Sequence, residues 1–401
     1  MLQESLSPVD VLAREVRERT AIAQVCLSRS YGGIEQVVTN DILELSQLGI
    51  EVRLVCLMGS PVHLKLVDKP GVKIITVKDF PRKFFDMGFR NILNEVCDDK
   101  VQILHFYQPS MMGAILPWVW KKKHLVVFSN RHALATESMR TPWNALMMKR
   151  LDGVVTMSET LKKNILATHP LKEDRVNVIH LGLDYLVFDP ERVDAKRQRA
   201  EWGADESTVV IGCVGRIDPT KGQDIVVKAA AGLLVRSKAI DKVKFVIVGE
   251  EPKTGEHQYL AQLQEMVKQF GIGDHVVFAG YKENIPEVMN AFDLFVMPAR
   301  QEAFSLVVVE AMAMETPILI SRGGSSDEVV GNNEFGVLTR PADAFDLQRA
   351  IRVFLDNPEM RVKMGKAARA HAMKSFARQD RLQQLLGLYE RLLRRRAQKN
   401  S

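Results

Sequence analysis

The feature that most constrains this chain is a long alternation of short apolar runs with amphipathic stretches, begun near residue 21 and begun afresh near residue 209. Strands buried on both faces and joined by crossover helices produce that pattern, so a parallel α/β architecture is expected throughout. Residues 21–28 (AIAQVCLS) read as the first buried strand. The turn Ser30-Tyr31-Gly32-Gly33 follows, and then a helix with apolar residues at Ile34, Val37, Val38, Ile42 and Leu45. Gly49 should end that helix, and Val52–Leu57 is the next strand, with others expected at Val72–Val77 and at residues 103–106, 125–129 and 153–157. Ser158 is placed to cap a helix beginning at Glu159. After a looser stretch, residues 181–190, strands are expected at Val209–Val214, 244–249, 276–279, Leu294–Met297 and 317–321. Two series of similar size, each opening strand–glycine–helix, imply two doubly wound domains, with ligands outside the carboxyl ends of the strands.

The chain's 401 residues suit two domains. With 46% hydrophobic and 26% charged residues it is neither disordered nor fibrous. Cys26, Cys56, Cys97 and Cys213 stand alone, which argues against a structural zinc site or a redox pair and suits a reducing cytosol. The first 20 residues mix acids and bases without an apolar core and are not expected to act as a signal peptide. The longest uncharged apolar stretch, residues 111–120, falls far short of the roughly 20 residues a spanning helix needs. Charge is uneven: residues 1–180 hold 24 Lys/Arg against 19 Asp/Glu (+5), residues 181–360 hold 19 against 28 (−9), and residues 361–401 hold 12 against 2 (+10), summing to +6. A basic face suits an anionic partner such as a lipid surface or a phosphorylated substrate, and equally a solvated helix face. The final segment is helical by pattern, and its Arg394-Arg395-Arg396 run is expected as a frayed, exposed end.

Three constellations could carry chemistry. Gly32-Gly33, between a strand and a helix, would let backbone approach an anion at a helix N-terminus, although paired glycines are often only structural and the motif is not GxGxxG. Gly215-Arg216-Ile-Asp-Pro-Thr-Lys221-Gly222 sets two permanent cations five residues apart after a strand, able to clamp a diphosphate or simply to face solvent. The sharpest is Glu302 and Glu310, separated by seven residues, with Phe304, Ser305 and Leu306 offering first-turn N–H groups between them. Glu310 lies in an otherwise apolar helix, where a carboxylate needs a partner. His105 and His132 fall at carboxyl ends of expected strands, positions where histidine is more often structural but where a pair facing a cleft gains weight. There is no DxD triplet of the kind that carries a divalent cation on paired aspartates.

Taken together, these residues resemble the retaining nucleotide-sugar glycosyltransferases of family 4. The similarity runs from YGGIEQVVTNDILELSQLGIEVRLVCL, through VNVIHLGLDYLVFDP, VVIGCVGRIDPTKGQDIVVKAA and KFVIVGEEP, to the segment ending in the EX7E motif at Glu302 and Glu310. The resemblance implies a GT-B fold of two Rossmann-like domains facing a central cleft. It places an acceptor domain at 1–185, a nucleotide-sugar domain at 186–375, and a basic helix at 376–401 packing back on the first domain. It implies that Arg216 and Lys221 hold the donor's diphosphate, that Glu310 bonds the ribose, that Glu302 stands beside the donor sugar, and that His132 contacts the transferred sugar. Gly32, Gly33 and Gly215 would line the phosphates and Tyr281 the base. Glu315 departs from the family pattern, standing where glycine is usual, as do Ala303 and Ser305 where the family often has Gly, Val307 where Pro is common, and Leu181 at the hinge Asn.

On that basis the expected activity is metal-independent hexosyl transfer, with retention, from a nucleoside-diphosphate sugar to a glycan or lipid-linked acceptor of the cell envelope, with no cofactor. The protein is expected in the cytoplasm, without a nucleic-acid partner. Its Pro81–Arg90 and Trp118–Lys123 segments set aromatics beside cations, so an anionic membrane face is a candidate surface and an ordinary domain surface the plain alternative. A sugar-nucleotide epimerase, a phosphorylase or a non-catalytic nucleotide-sugar binder could share the fold. Nucleic-acid binding fits the basic pI but not the acidic second half.

Overall fold

A computed structural model describes residues 7–82, 86–131, 133–236, 242–252 and 258–400. Internal contacts divide the chain into a first unit, Met1–Gly182 with Arg378–Ser401, and a second, Leu183–Ala377. Each is a doubly wound sheet with helices on both faces.

In the first unit seven strands are described: β1 (Ala21–Cys26), β2 (Val52–Leu57), β3 (Val72–Val77), β4 (Val101–Phe106), β5 (Val126–Arg131), β6 (Gly153–Thr156) and β7 (Val176–Val178). They run parallel in the order β3-β2-β1-β4-β5-β6-β7. The second unit has β8 (Val209–Val214), β9 (Val243–Val248), β10 (Val276–Gly280), β11 (Leu294–Met297), β12 (Ile318–Ser321) and β13 (Val337–Thr339), parallel in the order β10-β9-β8-β11-β12-β13. β1 and β2 are buried at every position, which is why they read as largely apolar runs, with only Gln24 and Arg53 as polar exceptions. Each sheet packs a core of its own: Val25, Leu104, Phe106 and Val127 against Leu93, Ile115 and Ile165 in the first, and Ile211, Phe245, Leu294 and Leu319 against Val226, Leu347 and Phe354 in the second. In both sheets strand order reverses once, between β1 and β4 and between β8 and β11. That reversal opens a crevice at the strands' carboxyl ends.

The helix Gly33–Gln47 ends as expected at Gly49, whose φ of 75° and bonds Gly49 N–H to Ser46 O and Ile50 N–H to Leu45 O close a Schellman turn. Ser158 caps the helix Glu159–Thr168 by accepting from Leu161 N–H at 3.1 Å. Two three-residue edge strands, β7 and β13, were not anticipated. The end of the chain corrects an expectation. The helix Arg378–Asn400 continues through the arginine run, with Arg394 paired to Glu15 and Glu390, Arg395 to Asp174 and Arg396 to Asp152. Arginines that read as solvated tail are each held by an acid more than 200 residues away in sequence, Arg394 by Glu390 of its own helix as well.

That helix is clasped to the first sheet through a buried polar cluster. Arg381 forks onto Asp41 with bonds of 3.0 and 2.7 Å, and both side chains are almost wholly removed from water (6% and 2% exposed). Tyr107 donates to Asp41 at 3.2 Å, and Arg381 also donates to His180 O at 3.1 Å. Beside them Glu44 pairs with Arg378, yet burial and then the Asp41 carboxylate push its carboxyl up to about 7, outweighing that arginine. Its Oε2 is buried without a partner.

Removing one partner of a buried pair leaves an uncompensated charge, so Arg381→Met should cost about 3–5 kcal/mol in urea unfolding of the full chain, whereas Asp41→Leu with Arg381→Met should recover much of it. Unchanged stability in the single variant would contradict the pairing. Glu44 sets a pH dependence whose sign follows from its raised value. The native state holds its proton where the unfolded chain, near the ordinary 4.5, has lost it, so this contribution is complete below 4.5 and disappears as pH rises through about 7. Wild-type stability should therefore fall relative to Glu44→Gln between pH 5 and 8, as read by unfolding midpoints.

Candidate functional site

In the second unit the loops after β8, β11 and β12 lock together at the strand-order reversal. Gly215 follows β8 with φ 156° and Gly249 follows β9 with φ 142°, and a Cβ on Gly249 would sit 1.9 Å from the Gly215 carbonyl oxygen. Only glycine permits that approach. The next residue, Arg216, is exposed, and its carbonyl accepts from Gln223 Nε2 at 2.7 Å. Asp218 then caps the short turn Pro219–Lys221 by accepting from Thr220 N–H at 2.8 Å. Gly222 turns the chain with φ 76° against Pro298 O of the β11 loop, where a Cβ would lie at 2.2 Å.

This path delivers Lys221 to Glu302. Lys221 Nζ donates to Glu302 Oε2 at 2.6 Å, with both side chains about one-fifth exposed. A cation from the β8 loop and an anion from the β11 loop thus meet across the reversal. Glu302 is braced from β12: Ser325 N–H donates to Ala303 O at 3.0 Å, and a Cβ on Gly324 would collide with Glu302 O. The helix Leu306–Ala313 starts just beyond, and Glu310 on it is 3% exposed. Ser305 occupies the cap position, but its hydroxyl donates to Met297 Sδ at 2.9 Å and does not cap the helix. Phe304 is buried, edge-on to Phe376 at 5.9 Å, and Leu306 is half-buried. Tyr281, one residue past Gly280, is 61% exposed.

Sequence reasoning missed the brace between the two charged loops. Arg300 forks onto Asp224 with two bonds of 2.7 Å, donates to Pro219 O at 2.7 Å, and its N–H bonds Thr220 O at 2.8 Å. Burial opposes ionisation of Asp224, but hydrogen bonds from Arg300, Tyr259 and Lys228 outweigh it and hold the carboxyl well below the usual range. Nothing in the local pattern distinguished Arg300 from Arg216. Only the fold reveals which cation is neutralised and which is exposed.

In the first unit Gly32 precedes the helix Gly33–Gln47, and the helix's own Glu35 accepts from Gly32 N–H at 2.9 Å. The turn is therefore partly occupied from within, while a Cβ on Gly33 would meet open space. His132 lies outside the described residues. His105 does not face a cleft. It is fully buried, stacked between Tyr107 and Phe128 at 4.1 Å, with its ring nitrogens 2.8 Å from Asn130 Oδ1 and 3.2 Å from Tyr389 Oη. Its role is structural. All four cysteines are buried and free.

Residues 31–185 match the family described as Glycosyltransferase Family 4, and residues 194–371 match that described as Glycosyl transferases group 1. The chain belongs to glycosyltransferase family 4. Among curated relatives, this family-4 glycosyltransferase is 28% identical over 280 residues to a lipopolysaccharide core biosynthesis mannosyltransferase, LpsB, of Rhizobium meliloti, covering 68% of this chain and 74% of the relative. It is 24% identical over 391 residues to a D-inositol 3-phosphate glycosyltransferase of Corynebacterium kroppenstedtii, covering 91% and 86%. Its GT-B fold is similar to a glycosyltransferase from Rickettsia africae (TM-score 0.84, 19% identity, 94% and 99% covered). It is also similar to Anabaena Alr3699/HepE in complex with UDP and glucose (TM-score 0.78, 19% identity, 92% and 99% covered).

The glycine departure can be tested on stability. Glu315 is the residue just past the helix Leu306–Ala313, with φ 56°, and bonds Glu315 N–H to Met312 O and Thr316 N–H to Ala311 O form a Schellman turn. A left-handed non-glycine residue costs roughly 1–2 kcal/mol, partly offset by its stiffer unfolded chain. Glu315→Gly should thus stabilise the protein by about 0.5 kcal/mol in chemical denaturation, and a loss would argue against the turn.

Proposed function

We propose that this chain transfers a hexosyl group from a nucleoside-diphosphate sugar to a hydroxyl of a glycan or lipid-linked acceptor, with retention at the anomeric carbon and without a metal. The observation that carries the reading is the Lys221–Glu302 pair at the strand-order reversal, with exposed Arg216 on the same loop as Lys221 and buried Glu310 on the helix that begins just after Glu302. Relatives named as a mannosyltransferase and an inositol-phosphate glycosyltransferase, and a similarly folded protein complexed with UDP and glucose, agree with it.

In this mechanism the bond between the anomeric carbon and the diphosphate oxygen lengthens, and negative charge gathers on the departing phosphate. Arg216 and Lys221 stabilise that charge, the task a divalent cation performs in other transferases. Lys221 exchanges its Glu302 partner for phosphate, which frees Glu302 to accept from donor-sugar hydroxyls. Glu310 accepts from the ribose, Gly215 lets the loop backbone approach the phosphates, and the first-turn N–H groups at Phe304, Ser305 and Leu306 add to the anion's field. Tyr281 flanks the base. The acceptor oxygen bonds to the anomeric carbon on the face the phosphate leaves, and the acceptor's proton passes to a phosphate oxygen. The first unit takes the acceptor, with Gly32, Gly33 and His132 as its contacts to the donor. Among the described residues no helix is long and apolar enough to cross a membrane. The cytoplasm, where nucleotide sugars are made, is the proposed location, and the aromatic–basic segments, of which Lys83, Phe84 and Phe85 lie outside the described residues, are the surface offered to anionic lipid.

The decisive experiment is thermal stability with UDP, GDP and ADP. One of them, at about 100 times its Kd, should add roughly 2.7 kcal/mol to wild type and nothing to Glu310→Ala. No shift with any of the three would refute the donor site. In turnover assays with EDTA present, wild type should keep its rate and Lys221→Ala should lose about 100-fold or more in kcat with little change in acceptor KM. Equal kcat would refute the assignment of Lys221.

A further inference from the structure

Among the described residues of the first unit, the cation Arg131 has no acidic counterpart. Arg131 closes β5, at the carboxyl end of the sheet. Along a strand side chains alternate in direction. Asn130 turns towards His105, so Arg131 projects to the opposite face, where its Nη2 meets Met112 Sδ at 2.7 Å. Among the described residues that thioether is its one hydrogen-bond partner, and its Nε is buried with none. No carboxylate lies within ion-pair distance among the described residues. Its neighbourhood is basic: Arg140 and His169 are close enough to act on one another electrostatically, with burial and then Arg131 and Arg140 pushing the His169 ring down to about 4. Arg140 is itself spent on Leu166 O and Ala167 O.

Other buried arginines of the first unit are treated differently. Arg53 has Glu51, Asp98 and Val96 O, Arg150 has Asp152 and three carbonyls, and Arg381 has Asp41. A folded chain that satisfies these guanidinium groups and leaves Arg131 against a sulfur has kept that charge for something it does not itself contain, since an unpaired buried ion is costly. A guanidinium fork matches the oxygens of phosphate bidentately, and Met112, unbranched and adaptable, is a side chain that can swing aside to admit them.

We propose that Arg131 is the recognition residue for an oxyanion, a phosphate ester, carried by the acceptor. This rests on the reading of the first unit as the acceptor's. The acceptor class is thereby narrowed to phosphorylated molecules, and neutral glycans are disfavoured. Arg131 is a binding and specificity residue and takes no part in the bond exchange.

The test reads binding and not turnover, so it is separable from the donor reading. Glycerol 3-phosphate is titrated against wild type, Arg131→Met, Arg131→Lys, and the donor-loop double variant Arg216→Ala with Lys221→Ala, following melting temperature and calorimetric heat. Vesicles containing phosphatidic acid form a parallel arm. The expected result is saturable stabilisation of wild type and of the donor-loop variant, at least tenfold weaker binding by Arg131→Lys, which keeps the charge without the fork, and none by Arg131→Met. Arg131→Met should melt, ligand-free, no lower than wild type, because it removes an unpaired charge. An Arg131-dependent response to vesicles but not to the soluble ester would support the site and assign the phosphate to a lipid headgroup. Binding undiminished in Arg131→Met, binding lost instead in the donor-loop variant, or no response to either probe would overturn the proposal. Nucleoside-diphosphate stabilisation retained by Arg131→Met would show that such a failure belongs to this site and not to the donor reading.

Discussion

The first unit depends on a single buried ion pair. Asp41 comes from the first crossover helix and Arg381 from the last helix of the chain, and they meet 340 positions apart in sequence. Neither could be left alone in a nonpolar interior. Their two-point contact, with Tyr107 and the His180 carbonyl satisfying what remains, allows the C-terminal helix to close over the sheet face next to β4 and β5. His105, Tyr389 and Asn130 extend the same polar seam. Geometry of this kind specifies one docking position far more sharply than apolar packing would, because a shift of one helical turn would strand a charge.

The two sheets share one strand order and hence one kind of crevice, but they furnish it differently. In the first, Gln108 spans the reversal, accepting from Leu27 N–H at 3.0 Å and donating to Cys26 Sγ, so a neutral amide joins β1 to β4. In the second, the same position is bridged by opposite charges, Lys221 and Glu302, held in register by the Arg300–Asp224 fork one layer below. The same topology thus joins its reversal by a neutral amide in one unit and by an ion pair in the other.

Much of this was readable from residues alone, for definite reasons. Val209–Val214 and Leu294–Met297 match their observed limits because central parallel strands are apolar without interruption, and Val52–Leu57 and the edge strand Val72–Val77 match theirs although Arg53 and Lys73 interrupt the apolar run. Glu310 stood out because a carboxylate inside an apolar helix is anomalous, and Glu302, in the loop before that helix, stood out by its seven-residue spacing from it. β7 and β13 were not, since three-residue edge strands carry no periodicity to detect. The state of each arginine was also hidden. Arg394, Arg395 and Arg396 looked free and are paired, Arg300 looked like Arg216 and is neutralised, and Arg131 drew no notice although no acid among the described residues pairs with it. Charge pairing is a property of tertiary proximity, and the relevant acids lie tens to hundreds of residues away.

The order of the chain has a consequence for synthesis. Gly182 and Arg378 lie side by side, so close that a Cβ on Gly182 would fall 2.8 Å from the Arg378 Cα, and the whole second unit is spliced between them. A ribosome therefore delivers the seven strands of the first sheet, then all of the second unit, and only then the helix that neutralises Asp41. Until that moment Asp41 lacks the arginine that neutralises it. Domains emerge amino-terminal end first, but here the earlier unit is the later one to be completed, by a helix that follows the whole of the second unit.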